Sequence, residues 1–278
     1  MPQIELAPNH KTGLALRSPV MAAAGCWGFG REWQHAVDFA TLGAFVTNPL
    51  TWTARTFSQH TQAIHQAAGL LLHNGLPNPG WKAAERDLAP VWRKMPCPVV
   101  VHWAAEKPET TARAVERCAQ LPNVQAIELG FAPDVDAQLA QECCWAAAGG
   151  MLPVLLQVPA ERVWEFAEWV VGLPIQALVL TAPARAALPL PNNLTQPAPL
   201  LFGRWYSHAQ FAPLLAFVAA LTDKIELPLI ACGGIASLAD ARAVLAAGAS
   251  AFQIDTLLWR NPALVQTICQ FFLEPYDR

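Results

Sequence analysis

The chain has 278 residues, 54% of them hydrophobic and only 14% charged, which is enough apolar material for a large buried core and excludes a disordered chain. Its net charge is −3, from 18 basic and 21 acidic residues, and no Lys/Arg-rich segment marks a nucleic-acid or anionic-membrane binder, so the expected partner is a small molecule or another protein. Seven cysteines without CxxC spacing, an opening "MPQIELAPNHKTG" without a signal-peptide pattern, and no apolar run long enough to span a bilayer predict a cytoplasmic protein.

Short β-rich runs alternate with longer helical patterns along the whole chain. "SPVMAAAG", ending at Gly25, is followed by the helical pattern "REWQHAVDFATL"; "GAFVTN", ending at Asn48, by "WKAAERDLAPVWRKM"; and "CPVVVHW" by "PETTARAVERCAQL". "AIELGF" precedes "DVDAQLAQECCWAAAGG", "PVLLQV" precedes "AERVWEFAEWVVGL", and "ALVLTA" precedes "SHAQFAPLLAFVAALTDKI". "LPLIACGG" leads to "LADARAVLAAG" and "AFQIDT" to "NPALVQTICQFFLEPYD". The strands read as nearly continuous apolar runs, as a parallel sheet covered by helices requires. Eight such units predict a (β/α)8 TIM barrel over residues 1–278, one domain, with its site at the C-terminal strand ends. Two connections are too long for simple turns, Pro49 to about Gly80 and "PARAALPLPNNLTQPAPLLFGRW", and are expected as loops over the barrel mouth.

Gly233 and Gly234 join a buried strand to a helix that Ser237 caps. Free backbone N–H groups converge at such a turn and suit a phosphate, while the plainer reading is a tight turn that needs positive φ. Asp255, before Thr256 at the end of the last strand, is a further candidate that suits a hydroxyl, a cation or an amine, and it would oppose a phosphate bound beside it unless turned away. His73, His102, Cys26, Asp134, Asp255 and Arg204 lie at strand ends or in long loops and are the other candidate site groups. His60 and His65 have poor metal-ligand spacing, and Cys143 and Cys144 fit simple packing within a helix; no metal site is expected.

The segments "SPVMAAAG", "VTNPLTWTAR", "HNGLPNPGW", "ACGGIASLADARAVLAAGA" and "FQIDT", in this order on eight strands, resemble the FMN-dependent dihydroorotate dehydrogenase family over nearly the full length. The resemblance implies an FMN site formed by Ala23, Ala24, Gly25, Asn48, Gln157, Thr181, Gly203, Gly233, Gly234, Asp255 and Thr256, with a substrate loop carrying Asn74, Gly75, Leu76 and Asn78. It also implies oxidation of dihydroorotate to orotate, in pyrimidine biosynthesis, and a homodimer or larger complex. The family's two flavin-contacting lysines correspond to Asn48 and Gln157, its strand-end asparagine to Gly130, and its catalytic Cys or Ser to Phe131 or Ala132, neither of which accepts a proton. These departures leave the catalytic residues unassigned. They imply a weakened or altered family reaction or, alternatively, a non-catalytic paralogue that serves as a structural or regulatory subunit of a protein partner.

Overall fold

The computed structural model describes residues 3–59, 61–190 and 199–273. In chain order the first strands are β1 (Ile4–Glu5), β2 (Ala15–Leu16), β3 (Val20–Ala22), β4 (Phe45–Val46), β5 (Gln62–Gln66), β6 (Gly69–His73) and β7 (Val99–Ala104). The others are β8 (Val124–Gly130), β9 (Val154–Pro159), β10 (Ala177–Ala182), β11 (Arg185–Pro189), β12 (Leu200–Tyr206), β13 (Leu229–Cys232) and β14 (Ala251–Ile254). The helices are α1 (Trp81–Asp87), α2 (Ala89–Trp92), α3 (Pro108–Cys118), α4 (Ala137–Ala148), α5 (Val163–Trp169), α6 (Phe211–Leu221), α7 (Leu238–Ala246), α8 (Leu257–Arg260) and α9 (Pro262–Phe271).

Eight parallel strands hydrogen-bond in the order β3-β14-β13-β10-β9-β8-β7-β4, and a parallel bridge between Met21 and Ala44 closes the ring. With the helices alternating along the chain this is the predicted (β/α)8 barrel. The strands are short and apolar, and both their faces are buried. The helices face them with amphipathic stripes: in α3, Thr111, Ala114, Val115 and Cys118 recur at helical spacing and are buried. Helix starts are set by local chemistry, with the side chains of Asp136, Ser237 and Asn261 accepting the backbone N–H of Leu139, Asp240 and Leu264. No helix among the described residues is long and apolar enough to cross a membrane.

Two expectations are corrected. "REWQHAVDFATL" forms no α-helix but a series of turns and one 3-10 turn at Phe39–Thr41. Trp33 has φ +56°, outside the right-handed helical region, and the Glu32 carboxylate takes the N–H groups of Phe29 and Arg31, a local bond pattern that competes with a helix. The two long connections, expected as loops, contribute an antiparallel sheet in the order β11-β12-β6-β5. His60 and residues 191–198 of these connections lie outside the described residues.

Candidate functional site

The C-terminal strand ends bring most of the sequence-predicted residues to one region. Ala23 and Ala24 follow β3 and are buried, and Gly25 comes next with φ +87°. A Cβ at Gly25 would lie 3.3 Å from the hydroxyl of Tyr206, a residue that arrives from the end of β12 and is 1% exposed. The Tyr206 ring meets Trp259 edge-on at 4.9 Å, and Trp259 Nε1 donates to the carbonyl of Cys26. Thus an element of the antiparallel sheet reaches down to the end of the first barrel strand. Burial, and then the nearby Asp255, push the Cys26 thiol well above its ordinary range, so it is no ready nucleophile.

The Gly233–Gly234 turn is packed by the chain's own backbone. Both glycines have positive φ, and a Cβ at Gly234 would lie 2.6 Å from the amide nitrogen of Phe211 and 2.9 Å from the carbonyl oxygen of Ser207. His208 Nδ1 donates to the Gly234 carbonyl at 2.7 Å. Gly233 has more room: the nearest atoms to a Cβ there are Thr181 Oγ1 at 3.5 Å and Gln210 Oε1 at 3.9 Å. Thr181 donates to the Cys232 carbonyl, while Gln210 Oε1 is buried with no hydrogen-bond partner among the described residues.

Asp255, 1% exposed, is turned inward. Its Oδ1 accepts from the Thr256 hydroxyl at 2.9 Å, and its buried Oδ2 has no hydrogen-bond partner among the described residues. Burial pushes this carboxyl above the usual carboxylate range, opposed by the N–H and hydroxyl of Thr256 and the N–H of Gly234.

Gln157 points into the barrel from β9, buried, opposite Gly130 of β8 and Val179 of β10. Asn48 is committed to a loop: its Oδ1 accepts the N–H of Gly28 at 3.1 Å, and its own N–H donates to the Gly28 carbonyl. Phe131 is buried and Ala132 exposed after β8. Asn74, Gly75, Leu76 and Asn78 shape the loop after β6. There Asn78 Oδ1 accepts from Thr51 and the Gly80 N–H while its Nδ2 donates to the Leu76 carbonyl. Gly203 sits in β12, where a Cβ would strike the Leu72 carbonyl at 2.6 Å, so it allows close pairing of β12 with β6. Of the remaining candidates, His73 bonds the Phe202 carbonyl within the antiparallel sheet, Arg204 lies in β12, and Asp134 is exposed. Cys143 and Cys144 pack inside α4, and no cluster of metal ligands forms among the described residues.

One polar group in the barrel was visible in the sequence only in part. His102 of β7 bonds through Nδ1 to Glu128 Oε1 of β8 at 2.7 Å, and Gln253 Nε2 of β14 donates to Glu128 Oε2 at 2.5 Å; all three are at most 1% exposed. A carboxylate inside the apolar run "AIELG" was the signal for Glu128. Tyr206, at the end of β12, and His208 and Gln210, in a 3-10 turn before α6, reach this region by tertiary folding that leaves no local pattern.

A family model described as "Dihydroorotate dehydrogenase" matches residues 8–139 and 212–274, more than half of the chain. The chain belongs to the dihydroorotate dehydrogenase family. It is 29% identical over 271 residues to the "Dihydroorotate dehydrogenase B (NAD(+)), catalytic subunit" of Pelobacter propionicus, covering 93% of this chain and 89% of the relative. The protein of the same name from Trichlorobacter lovleyi is 29% identical over 272 residues, with 92% and 89% covered, and that of Desulforudis audaxviator 29% over 276 residues, with 92% and 88%. The stretch between the two matched parts, residues 140–211, carries Gln157, Thr181, Tyr206 and Gln210.

Proposed function

We propose that this chain is a dihydroorotate dehydrogenase-type barrel that takes a small cyclic ligand at its C-terminal mouth and in which the family reaction, FMN-dependent oxidation of dihydroorotate to orotate, is weak. Kinship over nearly the whole length supports the ligand class. The single observation that carries the weakness is Asp255: a buried carboxyl facing the N–H of Gly234 stands at the turn where the FMN phosphate would rest.

The residues present do not fit FMN. A phosphate at the Gly233–Gly234 turn would meet the buried Asp255 carboxyl, which already faces the N–H of Gly234, and like charges in a buried site repel strongly. Tyr206 crowds Gly25, along which the flavin ring would lie. Gln157 supplies a neutral amide in place of a lysine, and Asn48 is held by Gly28.

The test is dihydroorotate oxidation with an artificial electron acceptor and added FMN, run beside the Pelobacter propionicus relative. A rate lower by at least about 10²-fold is expected from the loss of an electrostatic stabiliser and the family base. A rate equal to the relative's overturns the reading.

A second reading, a non-catalytic paralogue bound to a protein partner, is favoured by Leu200 and Phe202, 57% and 54% exposed on β12. The relatives' name, "catalytic subunit", agrees with a role in a complex. Light scattering of the purified chain and of its complex from native extracts separates a homodimer from a mixed complex.

A further inference from the structure

The first β/α unit has turns where the others carry a helix, and a groove opens on the barrel flank there. A cavity of about 590 Å³ lies between residues 31–39 and the segment of α1, α2 and the chain after them, within the range of roughly 300–1,000 Å³ that small ligands occupy. Phe39 and Pro96 line it and precede β4 and β7 in the chain, so the groove lies toward the N-terminal strand ends, away from the mouth. Bonds within the chain hold its walls. Trp92 Nε1 donates to the Phe29 carbonyl at 2.8 Å, and Arg31 Nη2 donates to the Asp87 carbonyl at 2.7 Å. At Gly30 the chain passes close over Met95 and Val91: a Cβ there would lie 3.2 Å from Met95 Cε and 3.7 Å from Val91 Cγ1.

Val37, Phe39, Val91 and Met95 give the groove an apolar surface, and Arg31, Lys94, Asp38 and Asp87 supply its charges. Asp87 is committed to Arg86, which donates Nε to Oδ1 and Nη2 to Oδ2, and Asp38 Oδ1 accepts the Ala40 N–H. Arg31 bonds a neutral carbonyl, and neither Arg31 nor Lys94 forms an ion pair with a carboxylate among the described residues. Two unmatched cations beside an apolar surface select an anion joined to a hydrocarbon body. The cations offer charge-assisted bonds, and the body takes apolar surface out of water. The Asp38 carboxylate adds a like charge, so a monoanion fits better than a dianion. We propose that this groove binds a small aliphatic carboxylic acid, with Arg31 and Lys94 supplying the cations for its carboxylate and Val37, Phe39, Val91 and Met95 covering its chain. The inference is independent of what the mouth binds.

Titrating octanoate into the full chain at low ionic strength, with binding read by saturation transfer in proton NMR, tests it. Saturable binding with a Kd of about 1 mM or tighter is expected. Octylamine, an equally long chain with a cationic head, should bind at least about 10-fold more weakly. Replacing both cations, Arg31→Gln with Lys94→Gln, should weaken octanoate binding about 10-fold. Val91→Trp fills the groove and leaves its charges in place, and should weaken octanoate at least about 10-fold. Circular dichroism reports the folding of each variant, and either folded variant suffices to decide. No saturable binding to the wild type, equal affinity for octylamine, or unchanged octanoate affinity in a folded variant overturns the proposal. The last result would place octanoate elsewhere, such as against the exposed Leu200 and Phe202.

Discussion

Asp255 is a costly residue where it stands. Because its carboxyl titrates above the ordinary carboxylate range, its contribution to stability is fully present below the unfolded-state pKa, near 4, and is lost as pH rises through the folded-state value. Above that range the charged form is buried with one oxygen unbonded. Asp255→Asn removes the charge and keeps an acceptor for the Thr256 hydroxyl. It should raise the melting temperature by a few degrees, about 2–4 °C, at pH 7, and the gain should vanish below about pH 4. Thermal melts of both proteins across that range check it; a loss of stability at pH 7 would mean that the hydrogen bonds to the carboxylate from Thr256 and Gly234 outweigh the cost of its burial. The sequence showed that a carboxylate adjoins Thr256, but its direction depends on the packing of Tyr206 and the Gly233–Gly234 turn. Likewise His102 was legible as a lone histidine, whereas its partner Glu128 comes from the next strand by register.

At the scale of elements, the mouth is roofed by pairing that the sequence hid. Apolar runs such as "GLLLH" and "LLFGRWY" were readable, but the β6–β12 pairing that joins the two hairpins spans more than a hundred residues, and Pro- and Asn-rich neighbours suggested loops. The absent helix after β3 has a similar cause, since the helical pattern of "REWQHAVDFATL" yields to local side-chain bonds and to Trp33 at positive φ. Asn78 joins the loop after β4 to the start of α1: buried, it accepts from Thr51 and Gly80 and donates to Leu76. Asn78→Ala strands several buried groups and should cost about 2–3 kcal/mol in chemical denaturation, with the barrel strands retained in circular dichroism. A change under about 0.5 kcal/mol would show that the loop is not tied through this side chain.

For the whole molecule, the alternation of eight apolar strands with amphipathic helices was enough to read the barrel, because burial on both sheet faces leaves a direct mark on composition. The family was legible too, through motifs at the strand ends. What function those ends now serve is a matter of few side chains: the buried Asp255 carboxyl faces the N–H of Gly234, and Tyr206 stands against Gly25. The proposal to be tested is that this barrel keeps the family's frame and no longer holds FMN tightly. The most direct measurement is the visible absorption spectrum of the protein, as purified and again after incubation with excess FMN and desalting. The account predicts no flavin band in either sample; a band that survives desalting, at one flavin per chain, would contradict it.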